Sequence, residues 1–105
     1  MVEIRYADNK IKKSFERLKE KDEYLYRHIK NAIENIKDDP SCCIKIPKKL
    51  FPKDWCKEYK IDNLFKYNLP NGWRLFYSLK GLNIEVVAIL LGFMNHKNYE
   101  RKFNY

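Results

Sequence analysis

The sequence changes its apolar period once. Over residues 9–38 apolar side chains recur at helical spacing, and over residues 63–92 they alternate or run continuously. Asp38, Asp39 and Pro40 close the first stretch. Proline has no N–H to continue a helix and disfavours helical geometry in the residue before it. A chain patterned this way needs helices in its first part, a sheet in its second, and a packing of one on the other.

The helical part begins behind a short strand candidate, residues 2–6, and Asp8 or Asn9 can cap what comes next. Ile11, Phe15 and Leu18 make one apolar stripe; Leu25, Ile29, Ala32 or Ile33, and Ile36 make a second. Residues 19–23 are charged throughout and read as the bend. Two amphipathic helices with a short polar connection form an αα-hairpin.

Residues 41–62 are irregular, broken by Pro47 and Pro52 and crowded with lysine, and read as a basic loop with short helical turns near Trp55. Strands follow. Phe65, Tyr67 and Leu69 alternate with Lys66 and Asn68. Pro70, Asn71 and Gly72 give a hairpin turn, because Asn-Gly tolerates positive φ. Trp73, Leu75, Tyr77 and Leu79 then share one face, with Arg74, Phe76 and Ser78 on the other. Residues 80–83 turn the chain, and residues 84–92 are nearly all apolar, as for a central strand covered on both faces. The tail, residues 95–103, reads as a short polar helix or an extended end. The expected fold is α+β: an N-terminal strand and helical hairpin packed on an antiparallel sheet, with a short C-terminal tail or helix. The sheet face carrying Arg74 is expected to be open to a ligand.

The chain of 105 residues has the size of one domain, residues 1–105, with room for one core. The apolar run at residues 86–91 is far short of the ~20 residues of a spanning helix. The N-terminus has no apolar stretch behind a basic start, so the expected location is cytoplasmic, with no membrane partner. Three cysteines, two of them adjacent (Cys42 and Cys43), do not make a disulfide framework, and Cys56 has no CxxC partner. No metal site and no cofactor are expected. The net charge of +8 is uneven: residues 1–40 hold ten Lys/Arg against nine Asp/Glu, and residues 41–105 hold twelve against five. A polyanionic partner should be met by the second part.

Two segments carry a family resemblance. Gly72-Trp73-Arg74-Leu75-Phe76-Tyr77 resembles the central strand motif x-R-L-x-Y of the RelE/ParE toxin superfamily, and His96-Lys97-Asn98-Tyr99 resembles its C-terminal H-x-x-Y motif. Residues 46–52 and 64–69 are similar to an archaeal, RelE-like branch of that superfamily. The order of elements matches over nearly the whole chain. The resemblance implies the toxin of a type II toxin–antitoxin system, a ribosome-dependent mRNA endonuclease. Its partners would be a cognate antitoxin peptide, in a toxin–antitoxin hetero-oligomer, and the ribosome with its mRNA. The ParE branch is directed instead at DNA gyrase. RelE-like ribonucleases place a second arginine just before the C-terminal tyrosine. Here His96 and Lys97 hold those positions and the nearest arginine is Arg101, beyond Tyr99.

RNA cleavage without a metal needs the 2′-hydroxyl deprotonated, the crowded phosphate stabilised and the 5′-oxygen protonated. Arg74 suits the phosphate, since a guanidinium can hold two of its oxygens. His96 has the ordinary acidity closest to neutrality and suits acid or base work. Tyr99 could act as base, acid or stacking platform. Lys48, Lys49, Lys66, Lys97, Arg101 and Lys102 are the candidate RNA-binding cations, with Lys66 beside Arg74 if the hairpin pairs as expected. His28, Trp55 and Trp73 read as structural. The competing function is a non-catalytic protein of the same fold: a gyrase-directed toxin, or a binder of antitoxin and operator DNA. Convergence of Arg74, His96 and Tyr99 on an open face would favour catalysis; a buried Tyr99 would favour binding.

Overall fold

The structure is a computed structural model that describes residues 2–82 and 85–103. Its elements are β1 (Glu3–Tyr6), α1 (Asn9–Lys21), α2 (Glu23–Asp38), β2 (Ile44–Lys45), α3 (Lys53–Tyr59), β3 (Phe65–Asn68), β4 (Arg74–Leu82), β5 (Glu85–Met94) and α4 (His96–Phe103), with 3₁₀ turns at Lys48–Leu50 and Pro70–Gly72. The fold is α+β, with a five-stranded sheet in the order β1-β5-β4-β3-β2.

The helical hairpin forms where the stripes place it, but its bend is a single residue. Asp22 ends α1 by donating its N–H to the Leu18 carbonyl at 2.8 Å, and begins α2 by accepting from the Leu25 N–H at 3.1 Å. One aspartate serving as both caps lets the charged residues 19–21 stay helical. Phe15, Leu18, Leu25, Ile29, Ala32 and Ile36 are buried against Leu75, Tyr77, Ala88 and Leu90 of the sheet.

The sheet is mixed rather than antiparallel throughout. β2, β3, β4 and β5 are antiparallel neighbours, but β1 pairs parallel with β5, Glu3 opposite Val87 and Tyr6 opposite Leu90. A parallel pair cannot be joined by a tight turn and needs a crossover. The helical hairpin is part of that long connection, so an N-terminal strand ahead of it can lie along β5 in the same direction. β5 is thereby an interior strand, which its apolar run anticipates. β4 and β5 also run further than the alternation suggests: residues 80–82 belong to β4, and Leu82 pairs with Glu85. The expected turn at residues 80–83 thus falls partly on residue 83, outside the described residues.

A bulge adjusts β5. Phe76 lies opposite Gly92 and Tyr77 opposite Leu90, leaving one extra residue on β5. Leu90 and Phe93 therefore both face the helices while Leu91 faces away. Gly92 takes φ +150°, a conformation that side-chain-bearing residues rarely adopt.

The second sheet face is covered, contrary to the open face expected for it. Phe76 and Leu91 are buried beneath Trp55 of α3, Tyr99 and Phe103 of α4, and Ile46, Ile61 and Leu64 of the intervening segment. The cause is in the sequence. Ile89 and Leu91 make β5 apolar on this side as well, and Trp55, Tyr99 and Phe103 supply the cover. A chain of this size holds two apolar layers by using one sheet as the floor of both.

Two polar links fix this second layer. Asn63 lies just before β3 and acts as a rung of the ladder: its Oδ1 accepts from the Leu79 N–H at 2.7 Å and from Ser78 Oγ at 3.2 Å, and its Nδ2 donates to the Leu79 carbonyl at 2.9 Å. Asn63→Ala should leave the Leu79 backbone groups unpaired and destabilise the fold by about 1–3 kcal/mol in urea unfolding; a loss below about 0.5 kcal/mol would mean that water replaces the side chain.

Asp8 caps α1 through the Ile11 N–H at 2.8 Å and accepts from the Tyr59 hydroxyl at 2.7 Å, tying α3 to the start of α1. The Ile11 N–H first, then the Tyr59 hydroxyl, hold the Asp8 carboxyl below its ordinary 3.8. Burial first, then Asp8, pushes the Tyr59 phenol above its ordinary 10.0. A lowered carboxyl contributes stability above its unfolded value and loses it as pH falls through the folded one. A raised phenol contributes below its unfolded value and loses it as pH rises through the folded one. The link therefore contributes fully between about pH 4 and pH 10. Asp8→Ala should lower stability by about 1 kcal/mol at pH 7 and by less at pH 3, measured by thermal unfolding at both. An equal loss at both pH values would contradict the linkage.

Candidate functional site

The site is built where β3, β4 and α4 meet. Cross-strand register puts Asn68 opposite Arg74 and Lys66 opposite Phe76. Residues directly opposite share a face, so Lys66, Asn68, Phe76 and Arg74 all point to the side that α4 covers. Helix α4 starts with Asn95 capping the Asn98 N–H at 2.9 Å and lays Tyr99 and Phe103, one turn apart, on Phe76. The Tyr99 and Phe76 rings stack with centroids 5.8 Å apart.

Two cations flank the tyrosine. The Arg74 guanidinium lies 4.7 Å from the Tyr99 ring centroid, and Lys66 Nζ lies 4.9 Å from it and donates to the Tyr99 hydroxyl at 3.1 Å. Arg74 also donates through Nη1 to the Gly72 carbonyl at 2.6 Å, across the turn where Asn71 and Gly72 take φ 58° and 77°. Its Nε is buried and has no hydrogen-bond partner among the described residues. A buried guanidinium N–H without an acceptor costs free energy.

Tyr99 itself is 5% exposed. It is chiefly a core residue whose polar end meets Lys66. His96 lies at the start of α4, exposed, paired with Glu100 one turn on. It stands next to the turn: a Cβ added to Gly72 would come 3.4 Å from the His96 Cβ. The structure thus brings Arg74, Lys66 and Tyr99 into contact and places His96 at their edge, with its ring engaged by a carboxylate.

The remaining candidate cations disperse. Lys97 and Arg101 are exposed on α4. Lys102 is not a free cation: it pairs with Asp54, lies 5.3 Å from the Trp55 ring centroid, and holds α4 to α3. That contact draws the Asp54 carboxyl below its ordinary value. Lys48 and Lys49 are exposed on the 3₁₀ turn, Lys48 beside Lys45 in one shallow groove and Lys49 beside Lys53 in another. Trp55 and Trp73 are core contacts, against Phe76 and Phe93 respectively, and His28 packs edge-on to Tyr24 one turn earlier in α2.

A groove of about 550 Å³ adjoins the cluster, between the end of α2 and β3, and Lys66 lines it. The sequence holds little sign of it, because it exists only where β2 stops short. Cys42 and Cys43 are on its wall; Cys43 is pushed up to about 12, first by burial and then by the neighbouring Cys42 thiol, so it is a neutral thiol at physiological pH. The Tyr77 hydroxyl, which donates to the Pro40 carbonyl at 2.7 Å, is likewise held protonated, first by burial. Among the described residues no group of three or more His, Cys, Asp or Glu side chains could hold a metal ion, and no helix is long and apolar enough to cross a membrane. Comparison of the chain with protein-family models, with curated proteins and with solved structures finds no match in any of the three.

Proposed function

We propose that this chain is a RelE-type toxin that binds mRNA on the ribosome and cleaves it by attack of the 2′-hydroxyl on the adjacent phosphate. The observation that carries the reading is the buried, unpartnered Nε of Arg74 beside Lys66: two cations, one with an unused donor, at a rigid strand pair. Arg74 and Lys66 take the phosphate oxygens and stabilise the charge that develops on them. His96, the exposed group at the edge of the cluster, takes the 2′-hydroxyl proton as the 2′-oxygen bonds to phosphorus, and the P–O5′ bond breaks with the 5′-oxygen protonated from solvent. Tyr99 holds the two cations in place through its ring and hydroxyl. The exposed cations outside the cluster, Lys48, Lys49, Lys97 and Arg101, draw in the RNA backbone. The reading further proposes an antitoxin segment as partner, since a toxin must be masked in the cell that makes it.

Two observations favour the second reading, a non-catalytic binding protein. Tyr99 is buried and His96 is already paired with Glu100. A protein that only grips an anion, gyrase-bound or on operator DNA, needs Arg74 and Lys66 but not His96. Cleavage by the parent protein separates the two, since a binding protein leaves ribosome-bound message intact, and His96→Ala then tests which group moves the proton. Cleavage of ribosome-bound message should fall by about 10²-fold if His96 moves the proton, with RNA affinity kept. An unchanged rate would leave His96 without a role.

Lys48→Ala tests the outlying cations. It should weaken RNA binding and lower the slope of log K against log salt by about 0.7–0.9, the change expected when one phosphate is no longer neutralised. No change in slope, by fluorescence anisotropy across a salt series, would remove Lys48 from the RNA path.

A further inference from the structure

The groove beside Lys66 arises from a gap in the sheet. β2 pairs with β3 only through Ile44 opposite Lys66 and Lys45 opposite Phe65. If that register continued, Cys42 would stand opposite Asn68. Instead the chain peels away, with the Cys42 N–H donating to the Asp39 carbonyl at 3.0 Å. The orientation of the exposed edge follows from two bonds. The Leu69 N–H donates across the hairpin to the Trp73 carbonyl at 2.8 Å, and the Leu64 carbonyl accepts from the Ile46 N–H at 2.8 Å on the other side. Backbone groups of successive residues alternate between the two edges of a strand. Asn68 therefore turns both its N–H and its C=O towards the gap, into the groove.

The gap is one residue long. β2 blocks it on one side and the Pro70 turn on the other. That is too short for an added peptide strand, and it suits a flat group presenting a donor and an acceptor side by side. The other walls match such a group. Ile44, 49% exposed, offers an apolar surface. Asp38 stands at the end of α2, exposed, its carboxylate without an ion pair or hydrogen bond among the described residues. Lys66 belongs both to the groove and to the Arg74–Tyr99 cluster.

We infer that this groove takes the base of one unpaired nucleotide while its phosphate lies at Lys66 and Arg74, and that Asp38 selects bases carrying an amino group over uracil. The inference rests on the phosphate-binding reading of Arg74 and Lys66 and names what lies next to the phosphate. The Asn68 N–H and C=O pair with the acceptor and donor on the Watson–Crick edge of adenine or cytosine. The Asp38 carboxylate accepts from the exocyclic amine. Uracil presents carbonyl oxygens to that carboxylate, and two acceptors repel. A groove of about 550 Å³ has the size of a small-ligand site.

The test uses the intact chain, labelled for amide NMR, with 2′-O-methyl pentaadenylate, pentacytidylate and pentauridylate, which carry the phosphates but block cleavage. The expected result is a shift of the Asn68 amide and the Arg74 Nε–H with the adenine and cytosine oligomers, and binding about tenfold tighter than with the uracil oligomer, the lower part of the range for base discrimination by good hydrogen bonds. Asp38→Ala should reduce that preference to about twofold, while Lys66→Ala should weaken all three alike. If all three bind equally and move only the Arg74 resonance, the groove assignment is wrong and the phosphate reading stands. If none moves either resonance, both fail. If an extended Val/Thr peptide moves the Asn68 amide and no oligonucleotide does, the groove is a peptide site and the inference is overturned.

Discussion

Phe76→Ala should destabilise the protein by about 3–5 kcal/mol, a large share of the total stability of a domain this size. Phe76 has no exposed surface, and its ring meets three others: Trp55 at 5.6 Å, Phe103 at 5.2 Å and Tyr99 at 5.8 Å between centroids. It is the floor on which α3 and α4 both rest. Truncation removes the transfer free energy of the ring and leaves a cavity that two helices, each anchored from a different side, cannot both close. The candidate site should fail with it, because Tyr99 loses the ring beneath it and Arg74 and Lys66 lose the tyrosine they share. Urea unfolding measures the first effect. The second should appear as loss of RNA binding under conditions where the variant is still folded. A cost below about 1.5 kcal/mol would show that α4 is not anchored through Phe76.

Arg74→Ala should lower cleavage of ribosome-bound mRNA by about 10²-fold or more, the scale on which removal of one preorganised transition-state donor acts. Loop lysines contribute charge alone, whereas Arg74 is held by a strand, by the Gly72 carbonyl and by the Tyr99 ring. The same contacts make it more than a surface charge. It is half-buried, so its loss should also destabilise the turn and α4 by about 1–2 kcal/mol rather than the few tenths expected for an exposed arginine. Arg74→Lys keeps the charge but not the fork and should recover most RNA affinity and little of the cleavage. Single-turnover rates with a melting curve for each variant separate the two effects. A variant that cleaves like the parent would make Arg74 structural.

How far the sequence could be read differs by region. Stripes such as Phe15–Leu18 and Leu25–Ile29 fix a helical face by local spacing, and alternation around Leu75 and Tyr77 fixes a strand face in the same way. These are short-range signals. The parallel pairing of β1 was not legible, because four residues, Glu3–Tyr6, carry no information on direction. The covered second face was legible only in part: β5 is apolar on both sides and so needs cover there, but the tail that supplies Tyr99 and Phe103 reads as polar and the face as open. In the site, the nearness of Lys66 and Arg74 follows from the Asn71–Gly72 turn, whose geometry sets the register. Asn63 as a ladder rung follows from where β3 begins along β4, and Asn68 at a ladder gap from where β2 begins, which only the folded chain determines. Lys102 reads as one more cation until its fold partner, Asp54, is known.

The central claim is tested most directly by toe-printing of translating ribosomes with the purified, intact chain beside its Arg74→Ala variant. The expected result is new message ends within the ribosomal A site with the parent protein, and their loss by about 10²-fold with the variant. Intact message under both proteins, with the parent shown to be folded and bound to RNA, would contradict cleavage and leave a binding protein in its place.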